Sequence, residues 1–279
     1  MEKKRLLEKK KIFNKIAKDI KNVKIQGARN IAKKALYAYS LIPGEVSLKK
    51  LISLRPTEPL LVNVLKKAKT GNFEKISSHF DSAQNEINKL VFKLIGNGEI
   101  IYTHCHSTNV ANALIYAKKK GKRFEVYNTE TRPLFQGRKT AKELRKAGIK
   151  VTMFVDSAMD ISLSKIERGR KVTKIFLGAD ALLKKGVINK VGSGVIGKLS
   201  KMNKIPLYVI ADSWKYSANP VKIEERDFHE VWGKIPKNSR IKIENPAFEL
   251  LKKKYIKKIV TELGIMKYSK FLKSVKKKN

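Results

Sequence analysis

Apolar residues recur every fourth position near the start of the chain, at Ile12, Ile16 and Ile20. That spacing sets three side chains on one helix face. Gly27-Ala28 interrupts the pattern before a second helical stretch over 31–39, and Pro43-Gly44 marks a turn. Arg55-Pro56-Thr57 ends another short element, because the residue before a proline is disfavoured in a helix. Helical stretches over 58–69 and 73–94 follow, and Asn97-Gly98 closes this part. The pattern predicts a helical N-terminal domain over residues 1–97.

From residue 99 the pattern changes. Short apolar runs at 99–103, 124–128, 150–155, 174–178 and 206–211 read as strands. Helical patterns at 108–120, 139–147, 157–166 and 193–203 lie between them, and the run 256–263 fits either class. Alternating strands and helices predict a parallel sheet with right-handed crossovers. The expected fold class is therefore α/β, with the helical domain followed by a Rossmann-like parallel-sheet domain over 98–279. The glycine-rich dinucleotide signature is missing after the first strand.

Composition sharpens this picture. A hydrophobic content of 42% in 279 residues suffices for a buried core. No apolar run approaches the roughly 20 residues that span a bilayer. The start, Met1-Glu2-Lys3-Lys4-Arg5, is basic but lacks the apolar core of a signal peptide. The single cysteine forms no internal disulfide, fits a reducing cytoplasm and excludes a multi-cysteine zinc site. The net charge of +39 would attract polyanions. Yet the lysines are spread along the chain, with small clusters at 118–120, 252–254 and 276–278, and no set of stacking aromatics is interleaved with them. Nucleic-acid association is expected to be incidental and salt-sensitive. The same field would draw in a doubly phosphorylated small molecule.

Candidate chemistry lies where the strands end. Thr103-His104-Cys105-His106-Ser107 follows the first strand, and Gly178-Ala179-Asp180 the fourth. Ligands of open α/β sheets bind outside such carboxyl ends. Cys105 is either a core thiol or a reactive one whose thiolate the next helix start would stabilise. Asp180 is either a turn aspartate or a general acid beside a ligand that small Gly178 and Ala179 let approach. His104, Cys105 and His106 do not converge on a metal, since adjacent strand residues face opposite ways. Asn189 and Lys190 precede Gly192-Ser193-Gly194, a helix start that could hold phosphate; in so lysine-rich a chain, one more surface lysine is the strong alternative for Lys190. Arg132, in Thr129-Glu130-Thr131-Arg132-Pro133, either binds phosphate or pairs with Glu130, the pairing being favoured. Lys215, in Asp212-Ser213-Trp214-Lys215, again follows a strand.

Taken together, Thr103-His104-Cys105-His106-Ser107, Thr129-Glu130-Thr131-Arg132-Pro133 with Gln136-Gly137, Gly178-Ala179-Asp180, Val187-Ile188-Asn189-Lys190-Val191-Gly192 and Ala211-Asp212-Ser213-Trp214-Lys215 resemble the initiation-factor-2B-like isomerase family. Arg226-Asp227, Asn245-Pro246-Ala247-Phe248 and Thr261-Glu262-Leu263-Gly264 extend the match. The resemblance implies a cofactor-independent sugar-phosphate isomerase of nucleoside salvage that converts ribose 1,5-bisphosphate to ribulose 1,5-bisphosphate. It assigns Cys105 as proton acceptor and Asp180 as proton donor. Asn189, Lys190 and Lys215 would hold the substrate, with Gly27, Ala28 and Arg55 closing over it. Gln26 stands where the family has an arginine, which removes one phosphate ligand, and Arg29 is the nearest replacement. The resemblance also implies a homo-oligomer, dimer or hexamer, built through the C-terminal domain. A non-enzymatic regulatory subunit that binds a nucleotide or sugar phosphate, and a methylthioribose-1-phosphate isomerase, are the rival expectations within the same family.

Overall fold

The computed structural model describes residues 2–55, 57–164, 169–234 and 240–276. Pro56, the end of the 157–166 helix pattern, and Lys277 and Lys278 of the C-terminal cluster lie outside the described residues.

Five helices come first: α1 (Glu2–Lys21), α2 (Ala28–Leu41), α3 (Glu45–Ser53), α4 (Pro59–Ala68) and α5 (Phe73–Phe92). The buried face of α1 is Phe13, Ile16, Ala17 and Ile20. Ile12 is instead 40% exposed. A strict four-residue spacing drifts about 40° per step off the 3.6-residue helix, so Phe13 takes the inner position. This core joins Phe13 and Ile20 with Ile31, Ala35, Leu61 and Val64. The first half of α5 enters it through Ile76 and Phe80, while the second half, through Ile87 and Val91, packs on the sheet.

The sheet part runs β1 (Glu99–Thr103), α6 (Thr108–Lys119), β2 (Phe124–Thr129), α7 (Gln136–Lys146), β3 (Lys150–Phe154), α8 (Met159–Ser164) and β4 (Val172–Leu177). It continues with β5 (Ala181–Leu183), β6 (Gly186–Lys190), α9 (Ser193–Met202), β7 (Leu207–Ile210), β8 (Phe248–Lys252), β9 (Lys258–Thr261), β10 (Gly264–Met266) and α10 (Tyr268–Lys276). Seven strands form the main sheet in the order β10-β9-β7-β4-β1-β2-β3. All pairs are parallel except the edge pair β9–β10. The ambiguous run near 256 is thus a strand.

Alternation along each strand explains the layers. Ile100, Tyr102, Ile175, Leu177, Val209 and Ile259 face α9 and α10, while Ile101, Val126, Phe176, Ile210 and Val260 face α5 and α6. Both sheet faces are covered, as a parallel sheet requires. β5, β6 and β8 form a separate antiparallel sheet. The strand order reverses between β1 and β4, and such a switch point is where a parallel sheet opens a crevice.

Candidate active site

The crevice at that switch point is a cleft lined by Gln26, Gly27, Ala28, Arg29, Arg55, Cys105, Asp180, Asn189, Lys190 and Lys215, whereas Arg132 is not among its described lining residues. Cys105 follows β1 and Asp180 follows β4. Asn189 and Lys190 project from β6. Lys215 closes a short 3-10 turn, Ser213–Lys215, after β7. Gln26, Gly27, Ala28 and Arg29 come from the start of α2, and Arg55 from the end of α3. Cations and acids far apart in sequence thus share one space.

Cys105 sits with φ of 65°, in the left-handed region that a non-glycine residue enters at a cost of about 1–3 kcal/mol. Two threonines hold it there. Its N–H donates to Thr131 Oγ1 at 3.0 Å, and its carbonyl accepts from Thr140 Oγ1 at 2.8 Å. Ser107 then caps α6, its side chain accepting from the Val110 N–H. The expected helix-start stabilisation of a thiolate does not prevail. Burial pushes the Cys105 thiol up to about 12, against the opposing pull of Lys190. Asp180 is also pushed up, by burial, with Lys215, Arg55 and Lys190 acting against it.

The two histidines flanking Cys105 are structural in this geometry. His104 Nε2 lies 2.8 Å from the Val191 carbonyl and so carries the proton, while Nδ1 accepts from Thr129 Oγ1 at 2.6 Å. Burial holds its pKa below the ordinary value. It ties the ends of β1, β2 and β6 together as a neutral ring. His106 donates through Nδ1 to Thr140 Oγ1 at 3.0 Å, since the Thr140 hydroxyl hydrogen is already given to Cys105. Burial and Lys139 lower its pKa to about 4.

Lys190 and Lys215 are only 5% and 7% exposed, and neither has an ion-pair partner among the described residues. Lys215 Nζ donates to the Ala179 carbonyl at 2.5 Å. Buried charges are normally paired, so two uncompensated ammonium groups in a cleft call for an anionic ligand. Asn189 lines the cleft with its amide N–H given to Ser193 Oγ at 2.8 Å. Arg55 meets Glu224 at 3.0 Å and Glu58 at 3.8 Å, yet its Nε and Nη1 have no hydrogen-bond partner.

Three sequence expectations need correction. The start of α9 is no free phosphate site, because Glu249 Oε1 accepts from the Gly192 and Gly194 N–H groups at 2.5 and 3.0 Å. Glu130 pairs with Arg138, at 2.7 Å, one helical segment later; Arg132 donates to the Val231 carbonyl instead. Gly178 is small for its neighbour's sake, since a Cβ there would lie 2.5 Å from Ser107 Oγ. Arg29 reaches the cleft but is bound to Asp81 at 2.5 Å, which limits it as a replacement for an arginine at Gln26.

The sequence reading also missed Glu58, Glu224 and Arg226, which line the same cleft. Arg226 binds Glu224 at 3.0 Å and is also paired with Glu230. Glu58 opens the 58–69 helical stretch, directly before the first turn of α4, where an acidic residue reads as an ordinary helix start. The anchors of Lys215 were missed too. Asn63 donates to the Trp214 and Tyr216 carbonyls at 2.7 and 2.9 Å, and the His79 ring stacks on Trp214 with centroids 3.5 Å apart. His79, Asp212 and Glu262 place ligand atoms within 4.8 Å of one another, but Asp212 already takes His79 and the Trp214 N–H, and Glu262 takes both polar hydrogens of Ser213.

The model of the Initiation factor 2 subunit family matches residues 8–268. Ribose 1,5-bisphosphate isomerase of Methanocaldococcus jannaschii is 34% identical over 88% of this chain and 89% of that protein. A putative translation initiation factor eIF-2B subunit 2-like protein of Pyrococcus furiosus is 29% identical over 90% of this chain and 95% of its own length. Among solved structures, the Pyrococcus horikoshii translation initiation factor eIF-2B superposes with a TM-score of 0.78 at 26% identity, covering 91% of this chain and 96% of that one. The 5-methylthioribose 1-phosphate isomerase of the same organism shares the fold, with a TM-score of 0.78 at 22% identity over 96% of this chain and 88% of that one.

Proposed function

Because the chain belongs to the initiation factor 2 subunit family, we propose that its cleft is the active site of a sugar-phosphate isomerase acting on ribose 1,5-bisphosphate. One observation carries the reading: a thiol and a carboxyl at the carboxyl ends of the two switch-point strands line a cleft that also holds two unpaired buried lysines. A protein that only bound an anion would need the lysines but not a half-buried acid with a raised pKa in the same cleft as a strained cysteine.

In the proposed reaction Lys190 and Lys215 hold phosphate. Asp180, kept protonated by burial, gives its proton to the ring oxygen as the ring opens. Cys105, as thiolate, removes the proton from C2 to give the C1–C2 enol; the Asp180 carboxylate then takes the C2 hydroxyl proton as Cys105 returns its own to C1, which leaves the ketone and restores both groups. General acid and base steps of this type contribute about 10²–10⁴-fold each. The residues ask for no cofactor in this sequence of steps, which would serve nucleoside salvage in the cytoplasm. No helix among the described residues is long and apolar enough to cross a membrane.

A homo-oligomer, dimer or hexamer, assembled through the sheet part belongs to the same proposal. Exposed Met153, Val155, Ile161, Val231 and Trp232 supply apolar surface, and Arg132 links Asp156 to Val231 within it. The deciding experiment is an isomerase assay with ribose 1,5-bisphosphate and with 5-methylthioribose 1-phosphate, run on the native chain and on Cys105→Ser. Turnover of the bisphosphate, lost in the serine variant while binding persists, is expected. Preference for the methylthio sugar would reassign the substrate, and binding without turnover of either would leave a regulatory subunit.

A further inference from the structure

Glu58 is the N-cap residue of α4 but does not cap it: no side-chain hydrogen bond reaches the helix N–H groups. Instead the side chain is turned inward, 2% exposed, and lines the cleft. One oxygen lies 3.8 Å from Arg55 Nη2, and the other, Oε2, has no partner. Arg55 leaves its own Nε and Nη1 unpartnered on the same turn. Two nine-tenths-buried polar groups with unused atoms on one cleft wall are arranged for a ligand.

The surroundings decide which form of Glu58 is present. Asp180, from the end of β4, and Glu224, from the segment after β7, face it with like charge. Arg55 on its own turn and Lys215 on the 3-10 turn face it with opposite charge, and Arg226 is neutralised by Glu224 and Glu230. Burial outweighs the two cations, and the carboxyl is pushed up to about 8. At neutral pH it is a carboxylic acid with an O–H to give. Gln26, uncharged on the same cleft, leaves room for another donor.

We propose that Glu58 is a substrate-binding residue which, as the neutral acid, donates a hydrogen bond to an oxygen of the bound sugar phosphate beside Arg55. The inference rests on the sugar-phosphate reading above. Its sign in pH is fixed. Below the pKa the O–H binds the anion; above it a carboxylate repels the same anion, so affinity falls as pH rises through the titration.

Calorimetry with ribose 1,5-bisphosphate tests this in the full chain carrying Cys105→Ser, which blocks turnover, from pH 6.5 to 9.5. The parent should lose about tenfold or more in affinity across that range, each tenfold being about 1.4 kcal/mol. With Glu58→Gln added, whose amide donates but does not titrate, affinity at pH 6.5 should stay within about threefold of the parent and the pH dependence should flatten. Glu58→Ala should bind about tenfold more weakly at pH 6.5, while circular dichroism reports an unchanged fold. A Glu58→Gln slope equal to the parent's, or an alanine variant that binds as the parent does, overturns the proposal alone. A parent that binds the bisphosphate at no pH overturns the sugar-phosphate reading and this role with it.

Discussion

Cys105 is held as a thiol in this cleft, and that has a measurable consequence. Burial moves its pKa from 9.0 to about 12, so at pH 8 its thiolate fraction is far below that of a free cysteine. Alkylation of the native protein by iodoacetamide at pH 8 should be slower than that of a small free thiol by on the order of 10²-fold or more, and should keep rising past pH 10. Labelling as fast as the free thiol would mean that Lys190 and the start of α6 outweigh burial. The same shift bears on the proposed catalysis. Thiolate with carboxylic acid carries the same total charge as thiol with carboxylate. Its share of the pair therefore does not change with pH between the two macroscopic pKa values. Linkage follows the same sign: a group whose folded pKa is raised releases its proton less readily when folded, so Cys105 withdraws stability as pH climbs from about 9 to 12.

At the level of elements, the site depends on how closely the end of β4 approaches the start of α6. Gly178 is the point of contact, with a Cβ there falling 2.5 Å from Ser107 Oγ and 2.6 Å from its Cβ. Gly178→Ala should push the α6 cap away, separate Cys105 from Asp180, and lower stability by roughly 1–3 kcal/mol, the usual range for overpacking. Urea denaturation and the isomerase assay check both effects; an alanine variant as stable and as active as the native chain would show that the contact is slack. Gly178 also illustrates what the sequence could convey. The main strands were legible because their apolar runs are buried on both faces, and Cys105 and Asp180 were legible because strand ends are where such sheets bind ligands. The small sheet was not. β5 has three residues, and β6 finds its partner β8 some sixty residues further on, which local pattern cannot reveal. Glu249 was hidden for the same reason, since its position on β8 at the start of α9 exists only once that pairing forms. Glu58 and Asn63 read as ordinary polar residues of a helix start, and only packing against the sheet part turned them inward.

For the whole molecule, the question is how a chain with 63 basic and 24 acidic residues tells a small anion from any polyanion. Its exposed lysines form a field that every anion feels. One groove, at the edge where β7 and β9 begin, is lined by Lys201, Lys204, Lys253, Lys254, Lys257 and Lys267, with no acidic side chain among its described lining residues. That field is screened within about 10 Å at 0.1 M salt. Lys190 differs because it is buried and unpaired, so a phosphate there gains a charge-assisted hydrogen bond of roughly 1.5–3 kcal/mol that salt weakens far less. Lys190→Ala should therefore weaken binding of ribose 1,5-bisphosphate by about tenfold or more at both 0.05 and 0.3 M salt. The double change Lys253→Ala with Lys254→Ala should alter it only slightly, while reducing the low-salt association of single-stranded RNA. Calorimetry for the sugar and fluorescence anisotropy for the RNA separate the two. Equal losses of sugar affinity from both changes would mean that the diffuse field holds the anion and that the cleft at the switch point is not its site.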